Sequence, residues 1–314
     1  MGEIQHVLVT GGCGFIGANL IRFLAERTPY RLRVLDDLRT GKLAYVPEEM
    51  AEVRVGDVAD ADALEPGLHG VDAVVHLASQ TGVAPSVEDP RRDFEGNTRA
   101  TFAVLDACRR QGVSRVVYAS SGAAVGEVTP PIHEEVVPRP VSPYGASKLA
   151  GEAYCRAFSA SFGLQAVALR FSNTYGPFSA HKRNSVPNFI KRGITGEPIE
   201  IYGDGGQTRD FIYVEDLCDA IVRSLTATGV GGEVFQVATG VETSIKELAE
   251  ITRSVVGGPE EIRFAAGRSG EVYRTSVDIS KIRRVLGFEP RFDLREGLSR
   301  TVQWYRRHWS PDDA

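Results

Sequence analysis

Cysteine is scarce in this sequence, and the few cysteines lie far apart. The 314 residues contain Cys13, Cys108, Cys155 and Cys218, with no C-x-x-C pair among them. Zinc sites and redox-active dithiols normally need closely spaced cysteines. We therefore predict reduced cysteines with a packing role, and no metal site.

An excess of basic charge and long apolar runs are also missing. Lysine and arginine number 36 against 41 acidic residues, which gives a formal net charge of -5. This balance excludes the basic field that drives binding to nucleic acid or to an anionic membrane surface. No stretch approaches the roughly 20 apolar residues that span a bilayer, and residues 1–12 have no leader pattern. We expect a cytoplasmic protein whose partners are small molecules or a second copy of the chain.

Short β-branched runs alternate with helical patterns through residues 1–125. The runs are HVLVT, RLRVLD, EVRVGD, AVVHLA and RVVYAS. Such alternation is typical of parallel strands joined by crossover helices. The pattern predicts an α/β fold with a Rossmann-type, doubly wound parallel sheet.

A glycine-rich loop follows the first of these strands. The segment VLVTGGCGFIG places Gly11, Gly14 and Gly17 between a predicted strand and a predicted helix. Glycines there permit a tight turn, close approach of a pyrophosphate and packing of helix on strand. The predicted helix, ANLIRFLAER, follows the loop, and its free N–H groups and positive dipole end attract phosphate. Phe15 and Ile16, within the loop, are further candidates for contact with the cofactor. The loop therefore predicts a dinucleotide-binding site.

Acidic residues end the next two predicted strands. Asp36 lies nineteen residues after Gly17, where a carboxylate can accept both ribose hydroxyls of NAD and would repel the 2′-phosphate of NADP. Asp57 and Val58 follow the third strand and are candidates for contact with the adenine edge. The sequence therefore predicts NAD rather than NADP.

Looser organisation after residue 150 indicates a second portion of the chain. The runs QAVALRF and EVFQVA still predict strands, but glycine- and proline-rich loops intervene. Long loops in compact enzymes usually carry binding function. We expect the NAD-binding domain mainly in residues 1–172. A smaller substrate-binding α/β portion is expected in residues 173–314, with some of its strands returning to the main sheet.

A Y-x-x-x-K pair supplies candidate catalytic residues. Tyr144 and Lys148 are four residues apart on a predicted helix, so they share one face. Tyrosine is a poor base at its ordinary pKa near 10, but a nearby ammonium and a cationic nicotinamide both favour the phenolate. Ser121, at the end of a serine-rich strand, could hydrogen-bond the same substrate hydroxyl. A lone Tyr/Lys pair is more often a surface pair, but the glycine loop and the serine strand end favour catalysis.

With these motifs the sequence resembles the extended short-chain dehydrogenases/reductases, in the NAD-dependent nucleotide-sugar epimerase/dehydratase family. The resemblance runs nearly the whole length, and it is carried by GGCGFIG, DDLRTGK, HLAS, SVEDP, YASS, SPYGASK, RFSNTYGP, GDGGQTRDFIYVEDL and VDISKIRRVLGFEP. It implies that Leu77 and Ala78 lie along the cofactor and that Asn97 braces the active-site helix. It also implies a homodimer paired through helices.

The same resemblance places the substrate. It puts Asn173 on the phosphates of a nucleotide sugar, with Arg209 and Arg268 as guanidinium clamps. Guanidinium groups suit bidentate contact with phosphate. A UDP-sugar is therefore the expected substrate.

Departures from the family pattern bear on the reaction. Most relatives carry a tyrosine where Val125 stands, and 4,6-dehydratases carry Thr-Asp-Glu where this chain has Ser121-Gly122-Ala123. The acid and base for that elimination are thus missing, which favours 4-epimerisation through a transient 4-keto sugar. The small residues also fit a relative like the tunicamycin-pathway UDP-N-acetylglucosamine 5,6-dehydratase, which forms an exo-glycal. A non-catalytic NAD-binding sensor is a third reading, against which the intact Tyr144 and Lys148 argue.

One position bears on the choice of sugar. Alignment through VDISK puts Thr275 where epimerases limit the room around carbon 2 of the sugar. Relatives restricted to glucose and galactose tend to carry tyrosine there, so a threonine predicts UDP-N-acetylglucosamine. Tyr273 could fill the same space if the loop register differs by two residues.

Overall fold

The computed structural model describes residues 4–258, 261–267 and 273–311. Its strands are β1 (His6–Thr10), β2 (Arg31–Asp36), β3 (Glu52–Val55), β4 (Ala73–His76), β5 (Arg115–Ser121), β6 (Gln165–Phe171), β7 (Asn173–Tyr175), β8 (Ile199–Tyr202), β9 (Thr208–Arg209), β10 (Phe211–Tyr213), β11 (Val234–Val237), β12 (Thr243–Ser244) and β13 (Ile262–Ala265).

The helices of the described residues are α1 (Phe15–Arg27), α2 (Ala61–Leu68), α3 (Val83–Glu88), α4 (Pro90–Phe94), α5 (Ala100–Gln111), α6 (Pro143–Phe162), α7 (Ser185–Thr195), α8 (Val214–Thr226), α9 (Ile245–Val256), α10 (Ser280–Leu286) and α11 (Leu294–His308). A π-helix (Glu95–Arg99) joins α4 to α5, and short 3₁₀ turns occur at Leu43–Tyr45 and Gly122–Ala124. Within this part of the chain, no helix has the length and apolar content required to cross a membrane.

Seven parallel strands form the main sheet, in the order β11-β6-β5-β4-β1-β2-β3. The chain moves from β1 outward to β3, then returns to β4 on the other side of β1. In such sheets, ligands bind outside the carboxyl ends of the strands at the point where the direction reverses, here between β1 and β4. The predicted Rossmann-type α/β fold is confirmed.

Alternating side chains cover both faces of this sheet. In β1, Val7 and Val9 pack with residues of α1 and α8, whereas Leu8 packs with residues of α2, α5 and α6. The strand is thus apolar on both faces, as expected for a parallel sheet between two helical layers.

Three two-stranded sheets lie outside the main sheet. They pair β7 with β10, β8 with β13, and β9 with β12, the last of these antiparallel. The helices α7, α9 and α11 pack against one another beside them. By contrast, β11 pairs with β6 and forms the edge of the main sheet.

Helix α6 is placed by its ends and by one glycine. Ser142 caps its start by accepting a hydrogen bond from the Gly145 N–H at 3.1 Å, and Gly163 ends it with a φ of 72°. A Cβ at Gly151 would overlap the Tyr118 ring of β5. This glycine therefore allows α6 to lie directly on the end of β5, where the active-site residues meet.

Candidate active site

The glycine loop is shaped by close backbone contacts. Gly11 has a φ of 70°, and a Cβ there would lie 2.7 Å from the backbone nitrogen of Ala78. A Cβ at Gly17 would overlap the Gly11 carbonyl oxygen. The loop thus folds tightly between the start of α1 and the segment Leu77–Ala78, as the spacing predicts.

The start of α1 suits a phosphate. Its N-cap is Gly14, which offers no side-chain cap to the N–H groups of Phe15 and Ile16. A Cβ at Gly14 would meet only the Gly11 oxygen, at 3.3 Å. Open space next to uncapped N–H groups is the arrangement that receives a pyrophosphate.

Asp36 ties the glycine loop to the end of β2. Its carboxylate accepts hydrogen bonds from the Cys13 N–H at 2.9 Å and the Leu38 N–H at 2.8 Å. Burial raises the pKa of Asp36, and these two hydrogen bonds lower it. Burial, with Asp36, raises the pKa of the Cys13 thiol to about 12, so this cysteine is a protonated packing residue. The carboxylate oxygens have lone pairs left to accept ribose hydroxyls.

The other predicted cofactor contacts lie around this loop. The N–H groups of Leu77 and Ala78 bond to Thr10 at the end of β1. Asp57 lies beyond β3, in an ion pair with Arg39 at 2.8 Å, and the Val58 side chain is buried. The carboxylate of Asp57 is thus already engaged, and its contact with adenine stays a prediction.

Tyr144 and Lys148 lie on one face of α6. The Lys148 Nζ is 5.7 Å from the centroid of the Tyr144 ring and donates a hydrogen bond to the Ala119 carbonyl oxygen at 2.8 Å. Lys148 is only 3% exposed. Burial lowers its pKa to about 7, while Asp93 and Glu152 raise it. The ammonium is thus held in a site where little water can solvate it.

Ser121 completes the group. It ends β5, and its hydroxyl oxygen accepts a hydrogen bond from the Ala123 N–H at 3.2 Å. Burial raises the pKa of Tyr144 to about 12, a hydrogen bond with Ser121 lowers it, and Asp93 raises it. The structure therefore brings Ser121, Tyr144 and Lys148 together. With its pKa at about 12, Tyr144 is a neutral phenol at neutral pH.

Asn97 is connected to α6 through Asp93, a residue that the sequence motifs do not indicate. From the π-helix it donates a hydrogen bond to Asp93 at 2.8 Å, and it accepts bonds from the Ser79 hydroxyl and the Gln80 N–H. Asp93 accepts a second bond, at 2.6 Å, from the Ser147 hydroxyl on α6. No local pattern indicates this contact, because Asp93 lies in a charged stretch that is typical of a solvated surface.

A buried ion pair lies on the same side of the sheet. Glu152 of α6 accepts two hydrogen bonds from Arg170 of β6, both at 2.8 Å, and one from the Ser120 hydroxyl. All three side chains are buried. The pair fixes α6 to β5 and β6 one turn beyond Lys148.

A cavity of about 370 Å³ lies beside β7 and β9, and it contains two of the predicted substrate residues. Asn173 and Arg209 line it together with Arg183 and Arg192, two cations that sequence reasoning missed. Arginines in a partly enclosed cavity suit a diphosphate. Arg268 lies outside the described residues.

Thr275 lies next to this cavity. Its N–H donates to the Thr208 hydroxyl of β9 at 3.3 Å, and the next residue, Ser276, accepts a hydrogen bond from the Ile132 N–H at 2.8 Å. Tyr273 is 58% exposed and donates its hydroxyl proton to Asp204 at 3.2 Å. The segment containing Thr275 thus runs between the cavity and the loop that follows Ser121.

Residues 7–238 match the NAD dependent epimerase/dehydratase family. The chain belongs to this family. It is 37% identical to a putative UDP-glucose 4-epimerase of Methanocaldococcus jannaschii, over 96% of this chain and 99% of that relative. The family predicted from the motifs is confirmed, and the protein is an NAD-dependent enzyme of the nucleotide-sugar epimerase/dehydratase type.

Solved structures of relatives agree over nearly the whole chain. A UDP-N-acetylglucosamine 4-epimerase of Methanobrevibacter ruminantium M1, in complex with UDP-N-acetylmuramic acid, has a TM-score of 0.91 at 33% identity and covers 98% of this chain and 99% of its own. A dTDP-glucose 4,6-dehydratase of Streptomyces venezuelae with NAD bound has a TM-score of 0.90 at 33% identity and covers 97% and 98%. Epimerases and dehydratases thus share this architecture.

Removing the phenolic hydroxyl should stop chemistry and spare binding. We expect Tyr144→Phe to lower kcat by a factor of about 100 or more, because the proton acceptor is lost, while NAD and substrate still bind. Steady-state kinetics and calorimetry measure the two effects. Tyr154→Phe, on the same helix, is the control and should retain kcat. Near-normal turnover of Tyr144→Phe would show that Tyr144 is not the base.

Removing the carboxylate at the end of β2 should change cofactor preference. We expect Asp36→Ala to weaken NAD binding about tenfold or more, because hydrogen bonds to a charged group are lost, and to affect NADP much less. Titration of each cofactor measures this. The neighbouring Asp37→Ala controls for loss of local charge. Equal losses for NAD and NADP would contradict a ribose contact at Asp36.

Proposed function

We propose that this enzyme is a UDP-N-acetylglucosamine 4-epimerase that acts through a transient 4-keto sugar. The observation that carries the proposal is the grouping of Ser121, Tyr144 and Lys148 beside Gly122 and Ala123, which bear no acid or base. This set can move one proton at one sugar hydroxyl. It supplies no carboxylate at that strand end for an elimination.

The residues of the chain divide the work of the reaction. NAD held at the glycine loop and Asp36 would supply the hydride chemistry at carbon 4. Ser121 hydrogen-bonds the 4-hydroxyl, and Tyr144 takes its proton as the ketone forms. Lys148 places a positive charge beside the phenolate, which stabilises it. After the keto sugar presents its other face, Tyr144 gives the proton back, and the product differs only in configuration at carbon 4.

The charges in the cavity support a UDP-sugar as substrate. Arg183, Arg192 and Arg209 line it with Asn173, and a diphosphate needs about two cations in a site that excludes water. The Arg192 guanidinium lies 3.9 Å from the Glu200 carboxylate. Because this ion pair is long, Arg192 can still contact a phosphate. The related epimerase from Methanobrevibacter ruminantium M1 is in complex with a UDP-sugar.

The surroundings of Thr275 support an N-acetylated sugar. Tyr273, the alternative occupant of the space near carbon 2, bonds instead to Asp204 on an exposed surface. Thr275 bonds to β9, and the next residue bonds to the loop after Ser121. We therefore expect the sugar to pass Thr275 if the diphosphate is in the cavity and carbon 4 is at Tyr144. A threonine there leaves room for an acetamido group.

An aromatic face on α5 and α6 supports a homodimer. Phe158 makes edge-to-face contacts with Phe102, Tyr154 and Phe162, and Phe102 makes another with Tyr154, with ring centroids 5.2 to 6.4 Å apart. Phe162 is 56% exposed. Exposed apolar clusters of this kind usually contact another protein. Light scattering, with a mass of twice the 34.1 kDa chain expected, tests this part of the proposal.

A 5,6-dehydratase is the second candidate, and the observation that favours it is Val125. Its side chain is buried, and because valine carries no hydroxyl, this position offers the sugar no hydrogen bond. An enzyme of that kind would oxidise carbon 4, eliminate water across carbons 5 and 6, and return the hydride to carbon 4. Its product is an alkene.

Product analysis tests the proposed function. The purified enzyme is incubated with NAD and UDP-N-acetylglucosamine, and the products are examined by mass spectrometry and proton NMR. We expect a product of unchanged mass with inverted configuration at carbon 4. Loss of one water would identify the dehydratase instead. Conversion of UDP-glucose in strong preference to UDP-N-acetylglucosamine would contradict the sugar assignment.

A bulky residue in place of Thr275 should hinder only substrates that carry an acetamido group at carbon 2. We expect Thr275→Tyr to lower kcat/KM for UDP-N-acetylglucosamine about tenfold or more and to change that for UDP-glucose about twofold at most. Tyr273→Thr is the matched control, and it should leave the preference unchanged. An equal loss of kcat/KM for both sugars, or a changed sugar preference in Tyr273→Thr, would show that Thr275 does not set the room around carbon 2.

A further inference from the structure

Asp93 is a carboxylate buried against the catalytic helix. It is 3% exposed, and its hydrogen-bond donors are the Ser147 hydroxyl at 2.6 Å and the Asn97 amide at 2.8 Å. Both donors are neutral, and within the described ranges Asp93 has no ion pair with a cation inside 4 Å. Ser147 directly precedes Lys148 and follows Tyr144 by three residues. The contact therefore joins Asp93 to the turn that carries both catalytic residues.

The other carboxylate near Lys148 is already neutralised. Glu152 lies one turn further along α6 and is held by Arg170 in a two-point ion pair. Arg170 offsets part of the Glu152 charge, so Glu152 raises the pKa of Lys148 less than an unpaired carboxylate in its place would. Lys148 itself donates to a backbone carbonyl, that of Ala119, and has no ion pair of its own in the described part of the chain.

The remaining groups around Lys148 are neutral or solvated. Tyr118 of β5, with its ring centroid 5.1 Å from the Nζ, has its pKa raised by burial, and His76 of β4 has its pKa lowered to about 3. Arg115 of β5 is a buried cation, but its guanidinium donates to the carbonyl oxygens of Ser224 and Ala227 at the end of α8. The other charged side chains on the elements packed against α6 are exposed or partly exposed: Glu88, Arg91, Arg92, Glu95, Arg99, Asp106, Arg109 and Arg110. Within the described residues, Asp93 is therefore the buried carboxylate near Lys148 that has no ion pair of its own.

We propose that Asp93 is a positioning residue that keeps Lys148 protonated in its buried site and, through Ser147, holds the turn of α6 that carries Tyr144. The proposal rests on the catalytic roles given to Tyr144 and Lys148 above. An ammonium that loses its hydration needs a nearby negative charge. Asp93 supplies it from another helix, without forming a direct ion pair that would pull the Nζ away from the site.

The charge of Asp93 acts in the same direction on both catalytic pKa values. A negative charge stabilises protonated Lys148 and destabilises the Tyr144 phenolate, so it raises both. Removing the charge lowers both. Because turnover needs a protonated lysine and a tyrosine that can release its proton, both limbs of the pH profile should move to lower pH.

The variant Asp93→Asn tests the proposal, since it keeps the shape and removes the charge. We expect the acidic limb and the basic limb of the pH profile of kcat each to shift to lower pH by about 1 unit. Ser147→Ala removes a hydrogen bond but keeps the charge, so its limbs should stay at their wild-type positions whatever its kcat. Asp216→Asn removes another buried carboxylate, on the opposite face of the sheet, and should also leave the limbs unmoved. A fall in kcat for Asp93→Asn with unmoved limbs would overturn the proposal.

A measurement without turnover separates this proposal from the proposed function. Phenolate absorbance in the near ultraviolet is titrated with NAD bound and no sugar present, with Tyr144→Phe as the blank. We expect the Tyr144 midpoint at lower pH in Asp93→Asn than in the wild type, and an unchanged midpoint would overturn the proposal even if the enzyme is an epimerase.

If the asparagine variant does not fold, the carbon-13 signal of the Asp93 carboxyl in the wild-type enzyme decides. An ionised carboxylate at neutral pH is required, and a protonated one overturns the proposal.

Discussion

The contact between α6 and the end of β5 determines the geometry of the active site. Gly151 removes the side chain that would keep the helix away from Tyr118, and Lys148 reaches the Ala119 carbonyl as a result. One turn further on, Glu152 bonds to Arg170 and to Ser120, the residue before Ser121. Because these contacts fix the helix to the strand, Tyr144 and Ser121 meet although more than twenty residues separate them in sequence.

Burial then sets the electrostatics of that contact. It lowers the pKa of Lys148 and raises that of Tyr144, so each group is driven towards its neutral form. Neither form is useful for catalysis by itself. On the catalytic roles proposed here, Asp93 restores the ammonium of Lys148, and the hydrogen bond with Ser121 and the charge of the bound cofactor favour the phenolate of Tyr144. Tyr144 would therefore act as a base only after the cofactor has bound.

Local patterns in the sequence predicted much of this architecture. The strands β1 to β5 were expected from their β-branched runs, although β3 ends at Val55, before the Gly56 and Asp57 that the run suggested. The glycine loop and the Y-x-x-x-K pair are short motifs whose spacing is set by backbone geometry. That is why they can be recognised in a single sequence.

Long-range contacts could not be predicted in the same way. Asp93 looks like a surface residue because its neighbours are charged, and only the fold shows that it turns towards Ser147, 54 residues later. Arg183 and Arg192 likewise lie in a polar stretch and on an amphipathic helix, and nothing local shows that both line the cavity of Asn173. These residues depend on tertiary packing, which leaves no periodic pattern in the sequence.

The proposed reaction oxidises the sugar at carbon 4 and reduces it again at the same carbon within one active site. UDP-N-acetylglucosamine carrying deuterium at carbon 4 allows this hydrogen to be followed, with turnover in ordinary water and the isotope located by NMR. We expect the product to keep the deuterium at carbon 4, because the same hydride leaves and returns. Loss of the deuterium to solvent, with hydrogen in its place, would rule out the return of the same hydride.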